Sequence, residues 1–198
     1  MGFVYVEFQD ERPALRFASI ASHVSRPRGA TLALDLDRTW RLGECAERVS
    51  VLTVEEGGLE RLAEWSTGAE PGEVVSRRLA HVFVNAVDRA GCYDALLPVV
   101  PASGGGWFFL ELLREHPEQT GADVARYFAE RSERLSGCRV HALLRRIGGL
   151  GPEPSILAVW GLSAPEAINT VARDLDGVTR PVSLAGCGVY TAAGSKRA

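Results

Sequence analysis

The sequence repeats one pattern at an offset of 104 residues, marked by Glu7 and Glu111 and again by Pro13 and Pro117. Val4-Tyr5-Val6-Glu7-Phe8, followed by Glu11-Arg12-Pro13, is matched by Phe108-Phe109-Leu110-Glu111-Leu112, followed by Glu115-His116-Pro117. In each copy an apolar strand with one Glu at the same pitch runs into an acidic turn, and a Pro then opens an amphipathic helical stretch. The period lies well beyond the roughly 20–50 residues of solenoid modules, so the repeated unit is domain-sized. A chain of 198 residues, 46% of them hydrophobic, has room for two such units with a core in each.

Periodicity fills in the units. In the first, residues 2–8, 30–36, 48–54 and 76–86 read as strands, and the stretches from Pro13 to His23 and from Leu59 to Trp65 read as helices. Residues 91–106, with Pro98, Pro101 and Gly104-Gly105-Gly106, read as a connection. The second unit repeats the order: strand 107–113, helix 120–135, strand 138–146, a turn at Gly148-Gly149-Leu150-Gly151-Pro152, strand 155–161, helix 164–175 and strand 182–190. Its first helix is the best marked. Val124, Tyr127, Phe128, Arg131 and Leu135 share a stripe, Thr120 with Asp123 three residues on is an N-cap, and Gly137 sits just past the end. Strand-helix-strand-strand-helix-strand is the ferredoxin-like order, an antiparallel sheet with both helices on one face. The expected class is therefore α+β: residues 1–90 as one ferredoxin-like unit, 91–106 as linker and 107–192 as the second unit. Each unit leaves a bare sheet face for the other to cover, which makes an intramolecular, pseudo-twofold barrel.

Several functions are disfavoured. A formal net charge of −3 gives no basic field to hold a phosphate backbone, so nucleic acid is not an expected partner. No apolar run reaches the roughly 20 residues of a membrane span and no basic leader opens the sequence, so a cytoplasmic protein is expected. Cys45, Cys92, Cys138 and Cys187 are too dispersed for a metal knuckle and read as buried free thiols. His23, His81, His116 and His141 have no paired spacing, so no metal site is expected.

Ala158-Val159-Trp160-Gly161-Leu162-Ser163-Ala164-Pro165-Glu166-Ala167, on this tandem architecture, resembles the dimeric α/β-barrel superfamily in its antibiotic-biosynthesis-monooxygenase-like branch. There the third strand ends in an aromatic residue and Ser-x-x-Glu-Ala opens the second helix, as Trp160, Ser163, Glu166 and Ala167 do here. The first half keeps only Val54 and Glu60 at the corresponding places. The resemblance implies a pocket between helices and sheet, used by relatives for cofactor-independent oxygenation or cyclisation of aromatic polyketides, for lactone isomerisation or for haem degradation. No haem-ligand signature accompanies it. The expectation is a cofactor-free monooxygenase or cyclase of secondary metabolism, acting on an aromatic or polyketide-like molecule and able to pair as a homodimer. A non-catalytic binding or scaffold protein is the alternative.

The candidate catalytic residues are the histidines, whose ordinary pKa suits proton transfer near neutrality. His141 has apolar neighbours and faces either a pocket or an interface. His116 sits in the turn after the repeat strand, where a solvent-exposed role competes. His81 shares a strand face with Asn85, an arrangement that also suits a buried crosslink. Trp107, Tyr127 and Trp160, with Asn169 on the following helix, could wall a pocket for a flat aromatic ligand, and could equally be core.

Overall fold

A computed structural model describes residues 3–9, 30–43, 45–54, 89–102, 106–150, 154–174 and 181–193. The described strands are β1 (Phe3–Gln9), β2 (Ala30–Arg41), β3 (Arg48–Val54), β4 (Arg89–Leu97), β5 (Trp107–Glu115), β6 (Cys138–Leu150), β7 (Ile156–Leu162) and β8 (Val182–Ala192). Helix α1 (Gly121–Arg134) follows β5, and α2 (Ile168–Asp174) follows β7 after a single 3-10 turn, Pro165–Ala167. The chain is thus α+β. The expected helices at Pro13–His23 and Leu59–Trp65 and the expected strand 76–86 lie outside the described residues.

All neighbouring strands are antiparallel, in the order β1-β3-β2-β8-β5-β7-β6-β4, and β4 pairs back onto β1 to close the ring. Strands β1 to β4 run β4-β1-β3-β2, and strands β5 to β8 run β8-β5-β7-β6, so each set of four has the same internal order. The 104-residue offset also preserves facing. Val4, Val6 and Phe8 point into the ring, as do Phe108, Leu110 and Leu112, while Glu7 and Glu111 are buried on the opposite face. Two tyrosines complete the interior in matching places: Tyr93 stands opposite Val4 and Tyr190 opposite Phe108. The interior cluster draws on every strand, adding Leu34 and Leu36, Val49 and Val51, Ala142 and Leu144, and Leu157 and Val159. Each such large apolar side chain removed from water stabilises the fold by roughly 1.5–3 kcal/mol before chain entropy is counted.

A second cluster lies on the outer face of β5 to β8, where Phe109, Ala158, Trp160 and Val189 pack against Val124 and Phe128 of α1 and Val171 of α2. Thr120 caps α1 as expected: its Oγ1 accepts from the Asp123 N–H, and the Asp123 carboxylate accepts from the Thr120 N–H. These bonds hold the Asp123 carboxyl below its usual pKa, chiefly through the Thr120 hydroxyl. Gly137, with φ of 77°, ends the helix in the left-handed region open to glycine.

Three sequence expectations change. Residues 91–97, taken as the start of the connection, are strand: β4 owes its form to pairing with β1 and β6 on both edges, not to its own irregular pattern. Gly148 and Gly149 do not turn; they extend β6 and pair with Cys92 and Gly91. The helix expected from residue 164 becomes regular only at Ile168.

Candidate functional site

The site begins with a backbone irregularity. Along β6, Val140 pairs with Trp160 and Ala142 with Val159, so His141 is an extra residue, a β-bulge. Bulges re-aim a side chain out of the alternating pattern. At this bulge the His141 carbonyl accepts a hydrogen bond from the Val100 N–H at 2.8 Å, and the Val100 carbonyl lies 2.9 Å from His141 Nδ1. Because a carbonyl oxygen only accepts, Nδ1 must carry a proton, and Nε2 of the neutral ring is left with its lone pair. No described residue hydrogen-bonds Nε2. The ring meets the edge of Phe108 with centroids 5.3 Å apart, and lies so close to Gly161 that a Cβ there would come within 2.5 Å of Cδ2 and Nε2. Residue 161 must therefore be glycine for the imidazole to take this place.

His141 lines a cleft of about 460 Å³ at the end of the ring, with Trp107, Phe108, Cys138, Arg139, Gly161 and Ser163 around it. That volume falls in the usual range for small-molecule sites. Trp107 forms the aromatic wall and is itself stacked on Trp40 of β2, with centroids 5.7 Å apart and planes at 25°. The cleft thus borders the seam between β2 and the second set of strands. Burial, opposed by the Arg131 charge, raises the pKa of the Cys138 thiol and disfavours it as a nucleophile.

A separate polar network lies under the helices. Glu111 and Arg131 are 0% and 1% exposed and meet with Nη1 to Oε2 at 2.7 Å. Arg131 Nε also donates to Asp174 at 2.6 Å, and Trp160 Nε1 donates to Glu111 at 2.8 Å. The guanidinium carbon stands 4.8 Å from the Trp160 ring. Burial opposes the charge on Arg131, but Glu111 and Asp174 outweigh it and hold the guanidinium above its ordinary pKa. Every member finds partners, so the network pins α1 and α2 to the sheet. Phe109, Val124, Phe128, Trp160 and Val171 are wholly buried in this layer.

The expected site residues therefore separate. His141 and Trp107 line the cleft. Trp160 is wholly buried in the network, and Tyr127 packs edge-on against Phe128 in the helix layer, so neither walls the cleft. Asn169 is exposed on α2. His116 is exposed in the turn after β5, its N–H bonded to the Pro181 carbonyl, away from the cleft lining. His81 and Asn85 lie outside the described residues. Phe108, Arg139 and Gly161 were missed. Arg139, two residues before His141 on a strand, carried a usable signal; a bulge leaves none. Among the described residues no three His, Cys, Asp or Glu side chains gather as metal ligands would.

No protein-family model matches the chain, and no curated protein matches it at the level of sequence. Its fold is shared with solved structures. An anthrone oxidase-like protein superposes with a TM-score of 0.60 at 12% identity, covering 100% of this chain and 95% of its own. A mutant chlorite dismutase from Candidatus Nitrospira defluvii superposes with a TM-score of 0.56 at 9% identity, covering 97% and 91%. Among the described residues no helix is long and apolar enough to cross a membrane.

Proposed function

We propose that this chain is a fused pair of ferredoxin-like units of the dimeric α/β-barrel superfamily, and that it is a small oxidative enzyme of secondary metabolism, a monooxygenase or cyclase. It acts without a resident cofactor on an aromatic or polyketide-like molecule, in the cytoplasm, as a monomer or a homodimer. One observation carries this reading: His141 is aimed by a bulge into an aromatic-walled cleft, with Nδ1 committed to Val100 and Nε2 able to take a proton. The likeness in fold to an anthrone oxidase-like protein supports it.

In this reading a flat substrate lies on Trp107, and Nε2 removes a proton from a carbon activated by neighbouring aryl and carbonyl groups. The resulting delocalised anion is electron-rich enough to give electrons to dioxygen. For an anthrone the balance closes as anthrone plus O2 giving anthraquinone plus water. The test is oxygen consumption and quinone absorbance with anthrone and chelator-treated protein. His141→Ala should lower the rate by about 10²–10⁴-fold, the usual range for a general base, while His116→Ala, in the exposed turn after β5, should leave it unchanged. Loss of activity on chelation, or its dependence on added flavin, would contradict the cofactor-free part. Binding without turnover would favour the alternative, a non-catalytic small-molecule-binding or scaffold protein.

A further inference from the structure

The cleft carries a permanent charge that proton abstraction does not need. Arg139 is exposed and pairs across the ladder with Gly161, the residue against which the His141 ring packs, so Arg139 and His141 flank one glycine. Several other described arginines have acidic partners, Arg38 with Glu47, Arg48 with Asp35, Arg126 with Asp123, Arg131 with Glu111 and Arg145 with Glu115, and those without one do not line the cleft. The Arg139 guanidinium has neither an ion pair nor a hydrogen bond with any described residue, and among the described residues lining the cleft there is no carboxylate to meet it. A guanidinium presents a planar fork of donors matched to two oxygens of an anion, and it stays charged at any working pH.

We propose that the cleft selects planar aromatic molecules bearing an anionic oxygen group, with Arg139 receiving the anion while the ring system lies on Trp107. This rests on reading the cleft as the substrate site, and deepens it by naming the substrate class and the residue that sets it. It also gives the orientation: a ligand anchored at Arg139 reaches across Gly161, which presents its reactive carbon to His141. The first four strands have no such pair, for the register positions of Arg139 and Gly161 are held there by Thr31 and Thr53.

The experiment compares binding of 2-naphthoate and its neutral analogue 2-naphthamide by calorimetry, in wild type, Arg139→Gln, Arg139→Lys, His141→Gln and Trp107→Ala. Wild type should prefer the carboxylate by tenfold or more, and the preference should shrink in 1 M salt because Arg139 is exposed. Arg139→Gln should bring the two probes within about twofold without weakening the amide. Arg139→Lys should retain part of the preference, and His141→Gln should keep it. A carboxylate preference that survives in Arg139→Gln would overturn the inference. Equal binding of both probes to wild type, weakened by Trp107→Ala, would overturn it too while leaving the cleft reading standing. No binding of either probe would overturn both.

Discussion

The two halves of the ring contain the same bulge with different contents. In β2 the extra residue is Ala33, between Leu32 and Leu34; in β6 it is His141, between Val140 and Ala142. Both lie one step before the residue opposite an interior valine, Val51 or Val159. Both carbonyls are bonded by the connecting segment, Ala33 by the Ala102 N–H and His141 by the Val100 N–H. Around this shared backbone three side chains differ: Thr31 against Arg139, Ala33 against His141, and Thr53 against Gly161. The backbone device is therefore common to both halves, and the proposed chemistry would be an addition to one copy of it. Function in a duplicated fold is read from what breaks the symmetry.

Breaking that asymmetry should have the largest effect. His141→Ala makes the second bulge resemble the first, and should lower turnover by about 10²–10⁴-fold while costing only about 1 kcal/mol of stability for the lost hydrogen bond to Val100. Adding Ala33→His to that variant should restore nothing, because Thr53 occupies the place that Gly161 leaves open. The extra ring should also cost about 1–3 kcal/mol of stability by overpacking, relieved in part by Thr53→Gly. Restored turnover in the Ala33→His variant would mean that the halves are chemically equivalent.

The next effect separates the helix-covered layer from the cleft. Arg131→Met leaves Glu111 buried without its counter-charge and should cost about 3–5 kcal/mol in denaturant unfolding. The double variant Arg131→Met/Glu111→Leu should recover much of that loss. Neither change should affect the naphthoate preference. A large change in ligand selectivity from either would tie the network to the site.

A smaller effect concerns Cys187, which backs onto the same layer. Burial, with help from the Glu111 charge and Cys45, pushes its thiol up to about 11. The raised pKa means that the neutral thiol is favoured in the fold; this contribution is fully present below about pH 9 and lost as pH rises toward 11. At pH 8 alkylation should be about a hundredfold slower in the folded protein than in denaturant, from thiolate population alone. Smallest is Tyr190→Phe, which removes a 2.7 Å hydrogen bond to the Ala46 carbonyl across the seam of the halves. A loss of about 1 kcal/mol is expected in denaturant unfolding, and no loss would mean that water replaces the hydroxyl there.

Much of the fold could be read from the sequence, because its signals were local. The strand at Glu7 and Glu111, the Thr120 cap and the Gly137 stop each depend on a few adjacent residues. Strand β4 could not be read this way, since Gly91 and Cys92 suit a strand only when partners flank both edges. The site was legible in part. His141 stood out as a titratable residue among apolar ones, and Trp107 as an aromatic at a strand start. Trp160 and Tyr127 were not separable from them, because an aromatic in an apolar pattern fits core and pocket equally well. Arg131 within an apolar helical stripe was the clue to the buried network, yet its partner Glu111 is 20 residues away in sequence and adjacent only in the fold.

In the proposed function, ligands enter the cleft at the end of the ring and not the space between sheet and helices. The indole N–H resonances of the four tryptophans test it directly during titration with 2-naphthoate. Trp107 lines the cleft and Trp160 donates to Glu111 under the helices, so the two report on the two places. Ligand entry at the cleft should give a saturable shift of the Trp107 indole with Trp160 unmoved; a shift of Trp160 with Trp107 unmoved would place the ligand under the helices instead.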